Sequence, residues 1–149
     1  MAIYQEQLME ELSKLEFDSL LDCGCGNRWL SFVKGYEGFD LPTNLNGKLP
    51  YRNKSYDVVL TAAVLCTMPD IKRAVRNIKR IARKYIVLLE FQGPERDYST
   101  GDRQSVRIMR DYPSIFKRDF RMIDIPKSIW PGDGWLGDGN PGKIMIAHA

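Results

Sequence analysis

Apolar residues recur along this chain with two different periods. Leu8, Met9, Leu12 and Leu15 follow one another at helical spacing, with Glu6, Glu10, Glu11 and Lys14 between them. That pattern predicts a helix with one buried face over residues 5–15. Ser19-Leu20-Leu21-Asp22-Cys23 is a short apolar run that stops at Gly24 and Gly26, which predicts a strand and then a tight turn. Residues 28–34 read as a short helix, 36–40 as a second strand closed by Leu41-Pro42, and the polar stretch 43–54 as a loop. Residues 56–62 are β-branched and apolar enough for a buried strand. Pro69-Asp70 then opens a helix with Asp70 as its cap. Its stripe is Ile71, Ala74, Val75, Ile78, Ile81, Ala82 and Tyr85. Residues 85–90 predict another buried strand, and 102–112 a weaker helix stopped by Pro113. Two final strands follow at 120–125 and 143–147, separated by a glycine-dense loop that carries Trp130 and Trp135.

Strands alternating with helices, several of them apolar on both faces, predict a largely parallel sheet covered on both sides. The 149 residues make a single domain, 1–149. Hydrophobic residues at 44% and charged residues at 28% exclude a disordered chain. A net charge of +3 is too small to announce a nucleic-acid binder by itself. No apolar run approaches the ~18 residues of a membrane span, and the first residues carry no secretory pattern. Three cysteines cannot form an even disulfide framework, so a cytoplasmic protein with reduced thiols is expected. The single histidine, His148, excludes His-rich zinc sites and makes a Ser-His-Asp triad untenable. No metal site is predicted.

Open parallel sheets bind ligands at the carboxyl ends of their strands, so chemistry is expected just after Cys23, Phe39, Leu60 and Leu89. Gly24 and Gly26 allow backbone to approach a ligand closely. Trp29 stands where a dinucleotide fingerprint needs its third glycine, and no glycine loop continues into a P-loop, so pyrophosphate binding is disfavoured. Asp40 ends the second strand, where a carboxylate can accept hydrogen bonds from both hydroxyls of a ribose. Each signal has a plainer reading, a tight turn for the glycines and a solvated strand end for Asp40.

Taken together these segments resemble the class I S-adenosylmethionine-dependent methyltransferases. Leu20-Leu21-Asp22-Cys23-Gly24-Cys25-Gly26 is similar to the family's first motif, and Gly38-Phe39-Asp40-Leu41 to its second. Leu49-Pro50-Tyr51-Arg52-Asn53-Lys54-Ser55-Tyr56-Asp57-Val58-Val59 resembles its L-P-F-x-x-x-S-F-D-x-V stretch, and Val64-Leu65 with Pro69-Asp70 continues the likeness. The resemblance covers residues 18–91 and implies a three-layer Rossmann-like α/β sandwich. Its sheet is mostly parallel with an antiparallel last strand.

The resemblance also implies roles. Gly24, Cys25 and Gly26 would pass under the methionine part and ribose of S-adenosylmethionine. Asp22 would hold the methionine amino end. Asp40, with Leu41 beside it, would take the ribose hydroxyls. The backbone at Asn46 would meet the adenine edge, and Thr61 and Ala62 would line the sulfonium end. This cofactor has no phosphate, so it needs a ribose acceptor and close backbone rather than an anion-binding helix start. Three departures stand out. Arg28 replaces a glycine that the family often has. Only eight residues separate Asp40 from Leu49, so the family's third strand and the helix before it are reduced or missing. Leu45 falls where an acid often caps the adenine amine.

The implied reaction is methyl transfer to an unidentified acceptor by direct displacement, with no catalytic residue assigned. The alternative is a methyltransferase-like, non-catalytic binding or partner subunit. The small size leaves room for a homodimer or a partner protein. Lys72, Arg73, Arg76, Lys79, Arg80, Arg83 and Lys84 form a basic run. Its plain reading is a solvated face, and its functional reading is a surface for nucleic acid or an acidic partner. The solvated face is favoured. The Trp130 and Trp135 loop reads either as a lid over substrate or as a connection packed on the sheet.

Overall fold

The two runs of apolar residues that the sequence marks most plainly lie side by side at the centre of the sheet. They are β3 (Tyr56–Ala62) and β4 (Ala82–Phe91), paired in parallel. The computed structural model describes residues 3–40, 44–99, 106–125 and 142–149. β1 (Leu20–Cys23) runs parallel to β3, and β2 (Tyr36–Phe39) parallel to β1 at the edge. On the other side, β8 (Gly142–His148) pairs antiparallel with β4, and β7 (Arg121–Asp124) antiparallel with β8. The order is β2-β1-β3-β4-β8-β7, with a separate two-stranded ribbon of β5 (Arg96–Asp97) and β6 (Ile108–Met109). The expected parallel sheet with an antiparallel last strand is therefore present. So is the expected truncation: β2 forms the edge, and the described residues 44–53 contain neither strand nor helix.

Period-two alternation divides the sheet's side chains between two apolar layers. Val58, Leu60, Val87 and Leu89 pack against Leu8 and Leu12 of α1 (Ile3–Ser13). Val59, Ile86 and Leu88 pack against Ala74 and Ile78 of α2 (Lys72–Ile81) and against Tyr112 and Phe116 of α3 (Tyr112–Phe116). Each fully buried Leu, Ile or Val contributes ~1.5–3 kcal/mol of transfer free energy, so these layers hold the strand ends in register. Among the described residues no helix is long and apolar enough to cross a membrane.

Buried polar groups tie the elements together. Asp57, fully buried, accepts from the Asp18 N–H at 2.8 Å and from the Arg83 guanidinium at 2.5 Å. Burial alone would raise its pKa, but these partners outweigh burial and hold the carboxyl below its ordinary value. On α1, Glu11 receives Lys14 at 3.0 Å and Arg121 of β7 at 3.1 Å. Gly35 turns the chain into β2 at φ 69°, where an added Cβ would lie 1.9 Å from the Asp18 carbonyl oxygen. No other residue fits there.

Three expectations are corrected. Residues 28–34 form successive turns rather than a helix: Arg28 takes φ 56°, and the bonds Ser31 N–H to Arg28 O and Val33 N–H to Leu30 O span three residues. A left-handed residue at the start breaks helical propagation. The α2 stripe ends at Ile81, because Ala82 is extended and pairs with Tyr56, so Ala82 and Tyr85 belong to β4. Pro113 does not stop a helix but opens one. It sits in the first turn of α3, where its missing N–H costs nothing, while Ile108–Met109 are strand. Residues 102–105 of that expected helix, and the Trp130 and Trp135 loop, lie outside the described residues.

Candidate functional site

At the carboxyl ends of β1, β2 and β3 the sheet opens into a cavity of about 350 Å³. Its floor is the backbone after β1. The Phe39 carbonyl accepts from both the Gly24 N–H (2.8 Å) and the Cys25 N–H (3.0 Å), which folds the chain back over β2. Gly24 takes φ 81°, and an added Cβ would meet Val64 Cγ2 at 2.5 Å. The first glycine thus serves close packing of the β1 turn against the turn after β3. Gly26 faces open space, where an added Cβ meets nothing within 4 Å.

Of the residues singled out in the sequence, Gly24, Asp40 and Ala62 line the cavity. Cys25 is buried beneath it. Asp22 lies at the end of β1, also buried, and accepts a hydrogen bond from the Tyr36 hydroxyl at 3.0 Å. Burial pushes its pKa up to about 6, against the pull of the Tyr36 hydrogen bond and the Arg28 charge; nearby Asp40 adds to the upward push. Arg28 reaches the Tyr36 ring at 5.6 Å, so the residue in place of a glycine buttresses the Asp22 partner.

Two residues fall elsewhere. Thr61 faces the opposite layer from Ala62, as strand alternation demands. Its hydroxyl has no partner at ordinary hydrogen-bond geometry, although it lies close enough to Glu90 to favour that carboxylate. Asn46 does not line the cavity. Its N–H donates to Asn44 Oδ1 (2.8 Å), and its side chain accepts from Ala74 N–H (2.8 Å) and donates to the Asp70 carbonyl (2.6 Å). Asn46 is therefore a tertiary cap for the first turn of α2, and Asn44 and Leu45 form that wall of the cavity instead. Asp70 assists the same turn by accepting from the Lys72 N–H at 2.9 Å. Leu41 lies outside the described residues.

A buried pair that sequence reading missed shapes the opposite wall. Glu90, fully buried at the end of β4, accepts from the backbone N–H groups of Val64 (2.9 Å), Leu65 (3.0 Å) and Cys66 (3.2 Å). The Arg110 guanidinium grips the same turn from its carbonyl side. It donates to Leu65 O and Met68 O at 2.6 Å each and to Pro69 O at 3.2 Å. A single 3₁₀ turn, Leu65–Thr67, is thus held between a carboxylate and a guanidinium. It carries Val64, Thr67 and Met68 into the cavity. Ala63, just before it, takes φ 54° and donates its N–H to the Leu89 carbonyl at 2.8 Å. A positive φ at a non-glycine residue is uncommon and persists where surroundings enforce it. Burial raises the Glu90 pKa, opposed by its three N–H donors. The only signal for this pair in the sequence is a charged residue at each edge of an apolar run.

His148 stacks on Tyr85 at 5.3 Å between ring centroids, opposite the start of β4 and so at the far end of the sheet. Cys66 is buried, and burial pushes its thiol pKa well up, as suits an inert packing group.

Among the described residues, the cavity walls carry one carboxylate, a stretch of bare backbone and the apolar Phe39, Leu45 and Met68, with no Lys, Arg or His. Such a donor set suits a ligand with hydroxyls, an apolar ring and positive charge.

Residues 40–88 match the family model of the methyltransferase domain. No curated protein sequence matches the chain. Solved structures share the fold at low identity. The 1,6-didemethyltoxoflavin-N1-methyltransferase of Burkholderia thailandensis, with bound S-adenosylhomocysteine, aligns with a TM-score of 0.63 at 16% identity, over 87% of this chain and 70% of that one. The protein in complex with the Trm112 methyltransferase activator of Haloferax volcanii aligns at 0.57 and 17%, over 90% and 83%. The [4+2]-cyclase SpnF aligns at 0.62 and 14%, over 89% and 74%.

Proposed function

We propose that this chain acts as a class I S-adenosylmethionine-dependent methyltransferase, a reading supported by the methyltransferase-domain model over residues 40–88 and by the shared fold, and that it holds its cofactor across the ends of β1, β2 and β3. From there it passes the methyl group to an acceptor by direct displacement. The observation that carries this reading is the cavity at the strand ends, with the Asp40 carboxylate and the bare Gly24 backbone on its walls.

When bound, S-adenosylmethionine supplies a methyl group already activated by a sulfonium. The protein's task is then to bind, orient and exclude water, and much of the barrier reduction comes from alignment. In this reading Asp40 accepts from the ribose hydroxyls. Phe39, Leu45 and Met68 flank the adenine. Asp22 provides the counter-charge for the ammonium of the methionine end, from beneath Gly24. Ala62 and Ala63 leave room for the sulfonium. No acid–base pair is required. A large acceptor, a second copy of the chain or a partner protein closes the acceptor side.

Protonation of Asp22 gives a direct test. Its folded pKa is raised to about 6, so the free protein carries this carboxyl neutral below that pH and ionised above it. A cationic ligand prefers the ionised form. Affinity for S-adenosylhomocysteine is therefore expected to hold steady above pH 7 and to weaken below about pH 6, by up to about tenfold per unit. Asp22→Asn is expected to bind weakly at every pH and to flatten the profile. A wild-type profile that stays flat from pH 7 to pH 5 would remove Asp22 from the site.

A further inference from the structure

The basic run divides in the folded protein into cations that are spent and cations that are not. Arg83 and Lys84 face buried Asp57, and Arg80 donates to the Tyr51 carbonyl at 2.5 Å and to Asn53 at 3.2 Å. Lys72, Arg73, Arg76 and Lys79 on α2, with Lys48 and Lys117 beside them, take part in none of the ion pairs found among the described residues.

These unspent cations line two adjoining depressions that share Arg76. One, of about 500 Å³, lies between α2 and the 47–49 segment, with Lys48, Arg73 and Arg80 on its walls and no acid among the described residues that line it. The other, of about 590 Å³, lies between α2 and α3, with Lys72, Lys79 and Lys117 around an Ile71, Val75 and Ile115 floor. Asp70 and Glu95 are the acids at its rim. The band is electrostatically costly to the free protein. Lys72 and Arg73 occupy the first turn of α2, where the helix dipole disfavours cations and Asp70, just before the helix, is the one acid beside them among the described residues that line the band. Lys72 with Arg76, Arg73 with Arg76, and Arg76 with Lys79 and Arg80 are like-charge neighbours three or four residues apart. Burial, with Arg118 and Lys117 adding repulsion, pushes the Lys79 ammonium below its ordinary value.

We infer that this band is a binding surface for the phosphodiester backbone of a nucleic-acid strand. The occupant follows from the charge pattern. Cations repeat along α2 about once per turn, ~5.4 Å apart, a spacing that suits a regular row of anions. Arginine forks suit phosphate oxygens. The described walls of both depressions lack aromatic side chains for base stacking, so contact is to backbone and independent of sequence. The band begins at Pro69 and Gly47, directly beyond the Met68 and Leu45 walls of the cofactor cavity. This surface goes beyond the methyl-transfer reading and does not depend on it.

Fluorescence anisotropy with labelled 20-nucleotide single strands and duplexes, without cofactor, tests it. Binding is expected at 50 mM salt and should weaken about tenfold or more by 200 mM, as counterion release by a few phosphates requires. Arg73→Gln with Arg76→Gln should weaken binding about tenfold at 50 mM. Lys14→Gln with Lys34→Gln, the same charge change on the α1 side of the sheet, should leave it within twofold. Thermal melts confirm that both variants fold. No binding of either probe at 50 mM, equal loss in the two variants, or equally effective displacement by polyglutamate of matched charge would each overturn the inference. Failure here leaves cofactor binding untouched, and failure of cofactor binding leaves this result readable.

Discussion

Replacing Glu90 by alanine is expected to lower the folding free energy by about 3 kcal/mol or more. The carboxylate satisfies three backbone N–H groups at once, at 2.9, 3.0 and 3.2 Å, in a fully buried position. Each buried donor left unpaired costs ~1–3 kcal/mol. Arg110 grips the carbonyl side of the same turn, but its bonds do not reach the three N–H groups that Glu90 satisfies. Val64 packs within the space of the missing Gly24 Cβ, so a loosened turn also deforms the cavity beside Asp40. Chemical denaturation reads the first effect and ligand titration the second. A loss below ~1 kcal/mol would show that the turn holds without its carboxylate clamp.

Asp40→Ala is expected to act in the opposite sense, on ligand and not on fold. Losing a charged acceptor costs ~1.5–3 kcal/mol, so S-adenosylmethionine should bind about 10–150-fold more weakly. Asp40 ends an edge strand at the cavity mouth, and the denaturation midpoint should stay within experimental scatter of wild type. An unchanged affinity would reduce Asp40 to a solvated strand end.

The centre of this fold is legible in the sequence because β1, β3 and β4 are buried on both faces. Their near-continuous apolar runs state strand and parallel sheet together. The cavity at the strand ends is legible for a related reason. Gly24, Asp40 and Ala62 sit at strand ends, whose positions follow once the strands are known. What fails is whatever depends on contacts distant in sequence. Asn46 caps α2 across a separation of 28 residues, and Arg110 reaches Leu65 across 45; no local pattern announces either. Thr61 is a different case, because alternation along β3 already forbids it from sharing a face with Ala62. The expected 28–34 helix is lost to one backbone angle at Arg28. The helix around Pro113 was misplaced because proline can end a helix or begin one, and only the fold decides.

The fold alone does not settle methyl transfer, since a [4+2]-cyclase shares it. The central claim is that the cavity beside Asp40 takes S-adenosylmethionine, and isothermal titration calorimetry of the purified protein at pH 7.5 tests it most directly. The account predicts saturable binding of both S-adenosylmethionine and S-adenosylhomocysteine at micromolar affinity, on the order of −8 kcal/mol, with a rise in melting temperature for each. Absence of heat and of any thermal shift at millimolar ligand would contradict it and favour a methyltransferase-like partner subunit that no longer holds the cofactor.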